Sequence, residues 1–199
     1  LSDAELASFP CSYSTAENML TRAQVTASDS LLITGASGGV GSAAIQLARA
    51  RDAHVIAVAG DKKQQSVLDA GADQAIVRGD SLEAALGEDA VDVVIDLVGG
   101  EDWPELLNIL RPFGRYAVSG AIAGPMVKLD LRTLYLKDQR FMGCTVLDNG
   151  VFSRLVMLIE QGHIKPLLAR SFALESLSEA QAFFLDKQFT GKLVIDMAL

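Results

Sequence analysis

Short apolar runs alternate with amphipathic segments along most of the chain. Apolar runs without polar alternation are typical of strands buried on both faces of a parallel sheet, and apolar residues at helical spacing predict helices. The pattern predicts strands at 31–33, 54–59, 74–77, 91–98, within 114–120 and at 191–196. It predicts helices over most of 1–25 and at 42–49, 62–70, 82–86, 103–110, 152–162 and 177–185. This alternation indicates an α/β fold with a parallel sheet.

Local signals within residues 1–25 predict two helices. Ser2 and Glu5 have the spacing of a capping box, and Pro10 breaks the helical pattern. Ser14 is a candidate cap for the second helix. We therefore expect the second helix to begin near Ser14.

The glycine-rich segment after the first predicted strand is the most informative stretch. It reads Thr34-Gly35-Ala36-Ser37-Gly38-Gly39-Val40-Gly41, followed by a helix and a second buried strand. A phosphate at a helix N-terminus meets free N–H groups and the positive end of the helix dipole. A side chain at Gly38 would block such a phosphate, and Gly41 lets the helix pack tightly on the strand. The segment predicts a dinucleotide-binding turn rather than an empty one.

Two known patterns fit this turn. Thr34-Gly35 with Gly39 and Gly41 fits the TGxxxGxG pattern of short-chain dehydrogenases. Ala36-x-Gly38-Gly39-x-Gly41 resembles the AxGGxG form of the medium-chain dehydrogenase/reductase superfamily, especially its quinone oxidoreductase branch. A short-chain enzyme should carry a Tyr-x-x-x-Lys pair, and none of the three tyrosines begins one. We therefore interpret the chain as resembling the medium-chain superfamily.

The resemblance extends over nearly the whole chain. Beyond the turn it rests on LxxGAD, DxVGG, GRY…SG and the closing GKLVID. It implies a doubly wound, six-stranded parallel sheet (a Rossmann fold) with a sixth strand at 141–146. It divides the chain into linking helices (1–25), a dinucleotide-binding domain (26–150) and a final helix with a return segment (151–199). The terminal segments would belong to a GroES-like substrate domain, and since the chain begins at Leu1 rather than Met, we expect a fragment or a processed chain.

The resemblance also implies which residues bind a nicotinamide dinucleotide. Thr15 matches a family position that contacts the nicotinamide, and Lys192 matches a basic position that reaches the pyrophosphate. Residues at the carboxyl ends of the strands lie on the ligand side of such a sheet. The candidate cofactor-binding residues are Thr15, Ala36, Ser37, Gly38, Gly39, Val40, Gly41, Gly60, Lys62, Lys63, Val98, Ser119, Gly120, Thr145 and Lys192.

The end of the second predicted strand bears on which cofactor is bound. An acid there would accept hydrogen bonds from the adenosine ribose and repel a 2′-phosphate. The sequence instead has Ala59 and Gly60, and then Lys62 and Lys63. Two nearby lysines favour NADP(H) over NAD(H) through charge pairing. Asp61 leaves NAD(H) open as the alternative, because it could turn inward and bind the ribose.

Cys11 is the candidate metal ligand. It lies in a segment that resembles the family's link between domains, where zinc-dependent members have a cysteine that binds the catalytic zinc. Catalytic zinc needs three protein ligands, so the resemblance implies zinc only in a longer protein that supplies two more. The alternative is a small half-buried thiol. Cys144 is expected to be a packed residue, and the sequence identifies no catalytic residue.

Composition narrows the partners and the compartment. The chain has 199 residues, is 50% hydrophobic and carries a formal net charge of −8. The absence of a basic stripe argues against nucleic acid, and no apolar run reaches the length of a membrane span. Two widely separated cysteines do not suggest a disulfide framework. We expect a cytoplasmic protein that acts on a small-molecule substrate, without nucleic-acid or membrane partners.

The activity implied by the resemblance is hydride transfer between NADP(H) and a carbonyl, an alcohol, a quinone or a conjugated double bond. Three alternatives remain open: an enoyl-reductase module of a fatty-acid or polyketide synthase, a non-enzymatic NADP-binding sensor, and a structural partner domain. We expect the chain alone to bind cofactor without turnover, because the substrate wall and two zinc ligands are missing from it. We also expect a homodimer that pairs along the sixth strand.

Overall fold

The structure is a computed structural model and describes residues 1–197, so positions 198–199 of the predicted segment 151–199 lie outside it. Its centre is a six-stranded sheet in the order β3-β2-β1-β4-β5-β6, and every pairing is parallel. The strands are β1 (Ser30–Ile33), β2 (His54–Ala59), β3 (Gln74–Val77), β4 (Val91–Asp96), β5 (Leu110–Val118) and β6 (Arg140–Gly143). The strand order reverses between β1 and β4, which is where open parallel sheets bind ligands. The predicted Rossmann fold is confirmed.

Helices lie on both faces of the sheet. They are α1 (Asp3–Ser8), α2 (Pro10–Arg22), α3 (Gly39–Arg49), α4 (Gln64–Asp69), α5 (Leu82–Leu86), α6 (Trp103–Asn108), α7 (Leu131–Leu136), α8 (Val151–Glu160) and α9 (Leu177–Asp186). Successive residues of β1 enter two different hydrophobic clusters. Leu31 and Ile33 pack with α2 and α3, whereas Leu32 packs with α5 and α6. Burial on both faces explains why the strands read as continuous apolar runs.

A second, two-stranded parallel sheet consists of β7 (Leu168–Ala173) and β8 (Lys192–Asp196). The sequence predicted β8 but not β7. Within β7 only Phe172 is buried, so the strand lacks the apolar pattern by which buried strands are recognised. Within residues 1–197, no helix combines the length and the apolar character needed to cross a membrane.

Pro10 begins a helix instead of ending one. Phe9 is the N-cap of α2 and Pro10 is its first residue, a position where the missing N–H would have no partner in any case. Ser14 lies inside α2, and its hydroxyl donates to the carbonyl oxygen of Cys11 at 3.2 Å. The predicted cap at Ser14 is therefore wrong, whereas the predicted capping box at the start of α1 is present.

Several other predicted boundaries shift, and three of the shifts change the position of an element near the site. The helix predicted at 103–110 ends at Asn108, and β5 already begins at Leu110 with a register shift against β4. The strand predicted at 141–146 ends at Gly143, because its partner β5 ends opposite it at Val118. The helix predicted at 62–70 divides into a 3-10 helix, Asp61–Lys63, and α4.

Candidate functional site

The glycine turn between β1 and α3 presents backbone donors to solvent. Gly35 has φ +59°, the left-handed conformation that favours glycine. The N–H of Gly38 donates back to the carbonyl oxygen of Gly35 at 3.0 Å, which closes the turn. Gly38 is the N-cap of α3, and no side chain caps the helix. The first N–H groups of α3 therefore have no acceptor within the helix and can receive an anion.

The glycines of the turn serve two different purposes. A Cβ on Gly41 would lie 2.4 Å from the carbonyl oxygen of Gly35 and 2.6 Å from the Cα of Ala36. Gly41 is therefore required for α3 to pack against the turn, rather than against the strand as the sequence analysis expected. A Cβ on Gly38 would meet only the oxygen of Gly35, at 3.3 Å. Gly38 is exposed, so a side chain there requires only that this oxygen shift by a few tenths of an ångström.

The C-terminal strands reach the glycine turn. The N–H of Gly191 donates to the carbonyl oxygen of Ser37 at 3.3 Å. A Cβ on Gly39 would lie 2.5 Å from Cδ of Lys192 and 3.1 Å from Oγ of Ser12. Lys192 therefore lies across the N-terminus of α3. Its contact with a pyrophosphate stays a prediction.

A buried carboxylate connects the ends of β1, β4 and β5. Asp96 is fully buried and accepts from the hydroxyl of Thr34 at 2.6 Å and from the hydroxyl of Tyr116 at 2.5 Å. It also accepts from the N–H of Val98 at 2.9 Å and from the N–H of Gly99 at 3.1 Å. The carboxylate thus fixes the turn that follows β4. Asp96 is therefore a structural acid.

Tyr116 is held in its neutral form. Burial raises the pKa of the Tyr116 phenol, and its hydrogen bond to Asp96 raises that pKa further. The phenol oxygen also accepts from Nε1 of Trp103 at 2.8 Å. Tyr116 therefore acts as a fixed donor to Asp96 and does not exchange protons near neutral pH.

The other predicted strand-end residues meet at the same edge of the sheet. A Cβ on Gly35 would lie 3.1 Å from Cγ2 of Val98, and one on Gly120 would lie 2.6 Å from the carbonyl oxygen of Leu97. The hydroxyl of Ser119 donates to the carbonyl oxygen of Cys144 at 2.7 Å, next to the exposed Thr145. These contacts bring the ends of β1, β4, β5 and β6 together, as predicted from parallel topology.

A cavity of about 370 Å³ opens beside the turn. It is bordered by Gly35, Val58, Arg78 and Val98, and by α6 on the far side. Its volume falls within the range of small-molecule and cofactor pockets. The glycine turn therefore adjoins a cavity that suits one part of a dinucleotide.

A cluster of cations lies near the end of β2. A Cβ on Gly60 would meet nothing within 4 Å, so this end is open. Burial lowers the pKa of Lys63, and the positive charges of Arg78 and Lys187 lower that pKa further. None of the ion pairs formed within residues 1–197 includes any of these three side chains. We call Lys63, Arg78 and Lys187 the cation cluster.

The predicted zinc ligand, Cys11, has no set of further metal ligands around it in the part of the chain that the structure describes. Cys11 is exposed, and no group of three or more His, Cys, Asp or Glu side chains within residues 1–197 could hold a metal ion. The hydroxyl of Thr15 donates to the carbonyl oxygen of Cys11 at 2.8 Å, one helical turn away. A zinc site with three protein ligands therefore does not fit the described residues by themselves.

Sequence reasoning missed three residues of this region. Arg78 follows β3 and Lys187 follows α9, so both reach Lys63 only through the fold. Ser12 was passed over because a serine in a helix gives no signal by itself. A search for basic residues just after predicted strands would have found Arg78, but nothing local indicates Ser12 or Lys187.

Sequence comparisons show that this chain is similar to a dehydrogenase family and to reductases. Residues 39–161 match the family described as zinc-binding dehydrogenase. Acryloyl-coenzyme A reductase of Metallosphaera sedula is 32% identical over 98% of this chain and 58% of its own length. Quinone oxidoreductase-like protein 2 of Bos taurus is 33% identical over 97% of this chain and 60% of its own length. The chain thus spans less than two thirds of either relative.

Solved structures share the fold over the same range. A Sinorhizobium meliloti 1021 protein described as an alcohol dehydrogenase is 50% identical, with a TM-score of 0.92 over 98% of this chain and 56% of its own. A 2-octenoyl-CoA carboxylase reductase in complex with NADP and 2-octenoyl-CoA is 26% identical, with a TM-score of 0.89 over 100% of this chain and 51% of its own. Both likenesses include the sheet, the glycine turn and the C-terminal strands.

Proposed function

Because the chain belongs to the zinc-binding dehydrogenase family of the medium-chain dehydrogenase/reductase superfamily, we propose that it is the cofactor-binding part of an NADP(H)-dependent oxidoreductase. The observation that supports this most strongly is the open N-terminus of α3. Its donors have no side-chain cap, Gly38 is exposed, and Lys192 lies across the same helix end. The pyrophosphate of a dinucleotide supplies the negative charge that this arrangement favours.

We propose NADP(H) over NAD(H) because of the cation cluster. The end of β2 carries Ala59 and the open Gly60, and neither supplies a carboxylate for the ribose. The positive charges of Arg78 and Lys187 lie close enough to Lys63 to disfavour its charged form, and none of the three side chains forms an ion pair among the described residues, so the cluster is well suited to a phosphate dianion. The solved 2-octenoyl-CoA carboxylase reductase contains NADP, which agrees with this choice.

The chain's own residues would bind and orient the cofactor. The turn and Lys192 hold the pyrophosphate, and the cation cluster holds the 2′-phosphate. Thr15, Ser119 and Thr145, from α2 and the ends of β5 and β6, are the candidates for the nicotinamide end. The bound nicotinamide supplies the hydride. We assign no step to zinc, because the described residues do not complete a zinc site.

For the substrate we propose a small molecule with a carbonyl or alcohol group, or a quinone. Alcohol dehydrogenase, quinone oxidoreductase and acryloyl-CoA reductase stand among the similar proteins. The enoyl thioester is the second candidate, and the names of acryloyl-CoA reductase and 2-octenoyl-CoA carboxylase reductase favour it. Hydride transfer to a carbonyl and hydride transfer to the β-carbon of an enoyl thioester both require the site to bind and orient the same cofactor.

Turnover assays separate these functions from non-catalytic binding. NADPH oxidation by the full-length protein would be followed with a panel of aldehydes, quinones and enoyl-CoA thioesters. We expect one class to be reduced well above background, and the 199-residue chain alone to reduce none of them. Tight NADPH binding with no turnover by the full-length protein on any class would instead support a sensor, and absence of binding would support a structural partner domain.

We also propose a cytoplasmic homodimer paired along β6. Within the described chain β6 is an edge strand, and Leu136 (70% exposed) and Val146 (74% exposed) on either side of it leave apolar surface uncovered. Both Cys11 and Cys144 are free thiols, which fits a reducing compartment. Sedimentation at tens of micromolar, roughly the range in which weak dimers of standard interface size form, should show a dimer. A clean monomer would contradict the proposal.

A further inference from the structure

The hydroxyl of Ser12 lies beside the glycine turn, close to the first residue of α3. Ser12 is 1% exposed, and its Oγ has no hydrogen-bond partner among residues 1–197. A buried hydroxyl without a partner is costly, because it has lost its bonds to water. Ser14, two residues further along α2, shows the usual solution: its hydroxyl donates to a carbonyl oxygen within the helix.

Ser12 lies at the point where three separate elements meet. Its Oγ lies 3.1 Å from the position that a Cβ on Gly39 would occupy, and Cδ of Lys192 lies 2.5 Å from that position. Gly39 is the first residue of α3 and contributes one of the uncapped N–H groups. A hydroxyl, the stem of a lysine side chain and a backbone N–H, from α2, β8 and α3, therefore lie around one helix end.

We propose that Ser12 donates a hydrogen bond from Oγ to the pyrophosphate of the cofactor, an inference that rests on the proposed function. A phosphate oxygen at the start of α3 would give the hydroxyl the acceptor that the protein does not provide. The stem of Lys192 lies beside Gly39, where the phosphate oxygen would bind. The contact therefore requires the Lys192 side chain to turn towards the phosphate, a rotamer change that its flexible four-carbon stem allows.

The test compares Ser12→Ala with Ser14→Ala. Both substitutions remove a buried hydroxyl from α2, but only the Ser14 hydroxyl has a partner. Binding of NADPH and of ADP would be measured by titration, and unfolding of each variant by thermal denaturation. ADP carries two phosphates but neither nicotinamide nor its ribose. A loss of affinity for both NADPH and ADP would therefore show that the contact is with a phosphate.

We expect Ser12→Ala to weaken the binding of both ligands by about ten- to hundred-fold, which is the effect of losing a hydrogen bond to a charged group. The same variant should unfold at the same temperature as the parent or higher, because it removes an unpartnered buried hydroxyl. Ser14→Ala should bind both ligands like the parent. Thus Ser12→Ala alone should combine unimpaired stability with impaired binding.

The possible failures are distinguishable. If the parent chain binds neither ligand, the proposed function fails and this inference fails with it. If the parent binds and Ser12→Ala binds equally well, only this inference is overturned. If Ser12→Ala unfolds at a lower temperature or does not fold, the hydroxyl has a structural role, which also overturns the inference.

Discussion

The two ends of the proposed cofactor site are formed by different parts of the chain, one mainly by backbone groups and the other by side chains. The pyrophosphate end consists mainly of backbone, namely the turn from Gly35 to Gly41 and the uncapped start of α3, with the side chains of Lys192 and Ser12 beside it. The ribose end consists of side chains: Lys63, Arg78 and Lys187, from three places in the sequence. Backbone donors are fixed by the fold, whereas lysine and arginine side chains lie near the surface and can move.

This contrast predicts two kinds of response to substitution. A change in the turn alters backbone geometry or fills the space of the ligand, so its effects should be large and insensitive to salt. A change in the cation cluster removes one charge from several, so its effects should be graded and should weaken as salt rises. The variants below test that difference, beginning with the largest expected effect.

Gly41→Ala should destabilise the fold itself. The added Cβ would lie 2.4 Å from the backbone oxygen of Gly35, which no side-chain rotation can relieve. We expect a loss of about 3 kcal/mol or more in the free energy of unfolding, which is at or above the upper end of the destabilisation that overpacking substitutions typically cause. Gly60→Ala is the matched control, because a Cβ there meets nothing within 4 Å. Urea denaturation of both variants checks this, and equal stability would show that α3 does not depend on Gly41.

Gly38→Val should abolish binding while leaving the fold intact. Gly38 has φ −75° and ψ 173°, an extended conformation open to any residue, so the cost in stability should be less than about 1 kcal/mol. The branched side chain would occupy the space of the pyrophosphate, and losing two charge-assisted hydrogen bonds should weaken binding by more than about 100-fold. NADPH titration and thermal unfolding provide the measurements. A variant that binds like the parent would show that the turn is not the phosphate site.

Removing the cation cluster should cost affinity for NADPH alone. Lys63→Ala should weaken NADPH binding by roughly ten-fold and leave NADH binding unchanged, because only NADPH carries the 2′-phosphate. Arg78→Ala and Lys187→Ala should do the same to a smaller degree, because both residues are more exposed than Lys63. Lys128→Ala, on the exposed loop between β5 and α7, controls for the change in net charge. Equal losses of affinity for NADPH and NADH would show that the cation cluster does not bind the 2′-phosphate.

Ala59→Asp should shift the preference towards NADH by a smaller factor. The new carboxylate would repel the 2′-phosphate and could accept from the ribose hydroxyls. Ala59 is 3% exposed, so Ala59→Asn is needed to separate the effect of charge from that of size. We expect the ratio of NADPH to NADH affinity to fall in the aspartate variant and to change little in the asparagine variant. Similar ratios in both would refute a purely electrostatic explanation.

The sequence predicted the backbone-built end well and the side-chain-built end only partly. The turn, β2 and β3 follow from local patterns, since glycine spacing and apolar runs determine them within a few residues. Lys63 could be proposed because it lies shortly after the end of β2. Arg78 directly follows β3 and could have been found by the same reasoning, whereas only the return of the chain after α9 brings Lys187 near Lys63. β7 was missed for a related reason, since its one buried residue leaves no pattern.

The most direct test of the account is a titration of the parent chain with NADPH and NADH at low and high salt. We predict tighter binding of NADPH, by roughly ten- to hundred-fold at low salt, and a ratio that narrows as salt rises because the cation cluster is partly exposed. Affinity that remains for both cofactors at high salt would reflect the backbone-built turn. Tighter binding of NADH would contradict the account and would point to Asp61 as the ligand of the ribose.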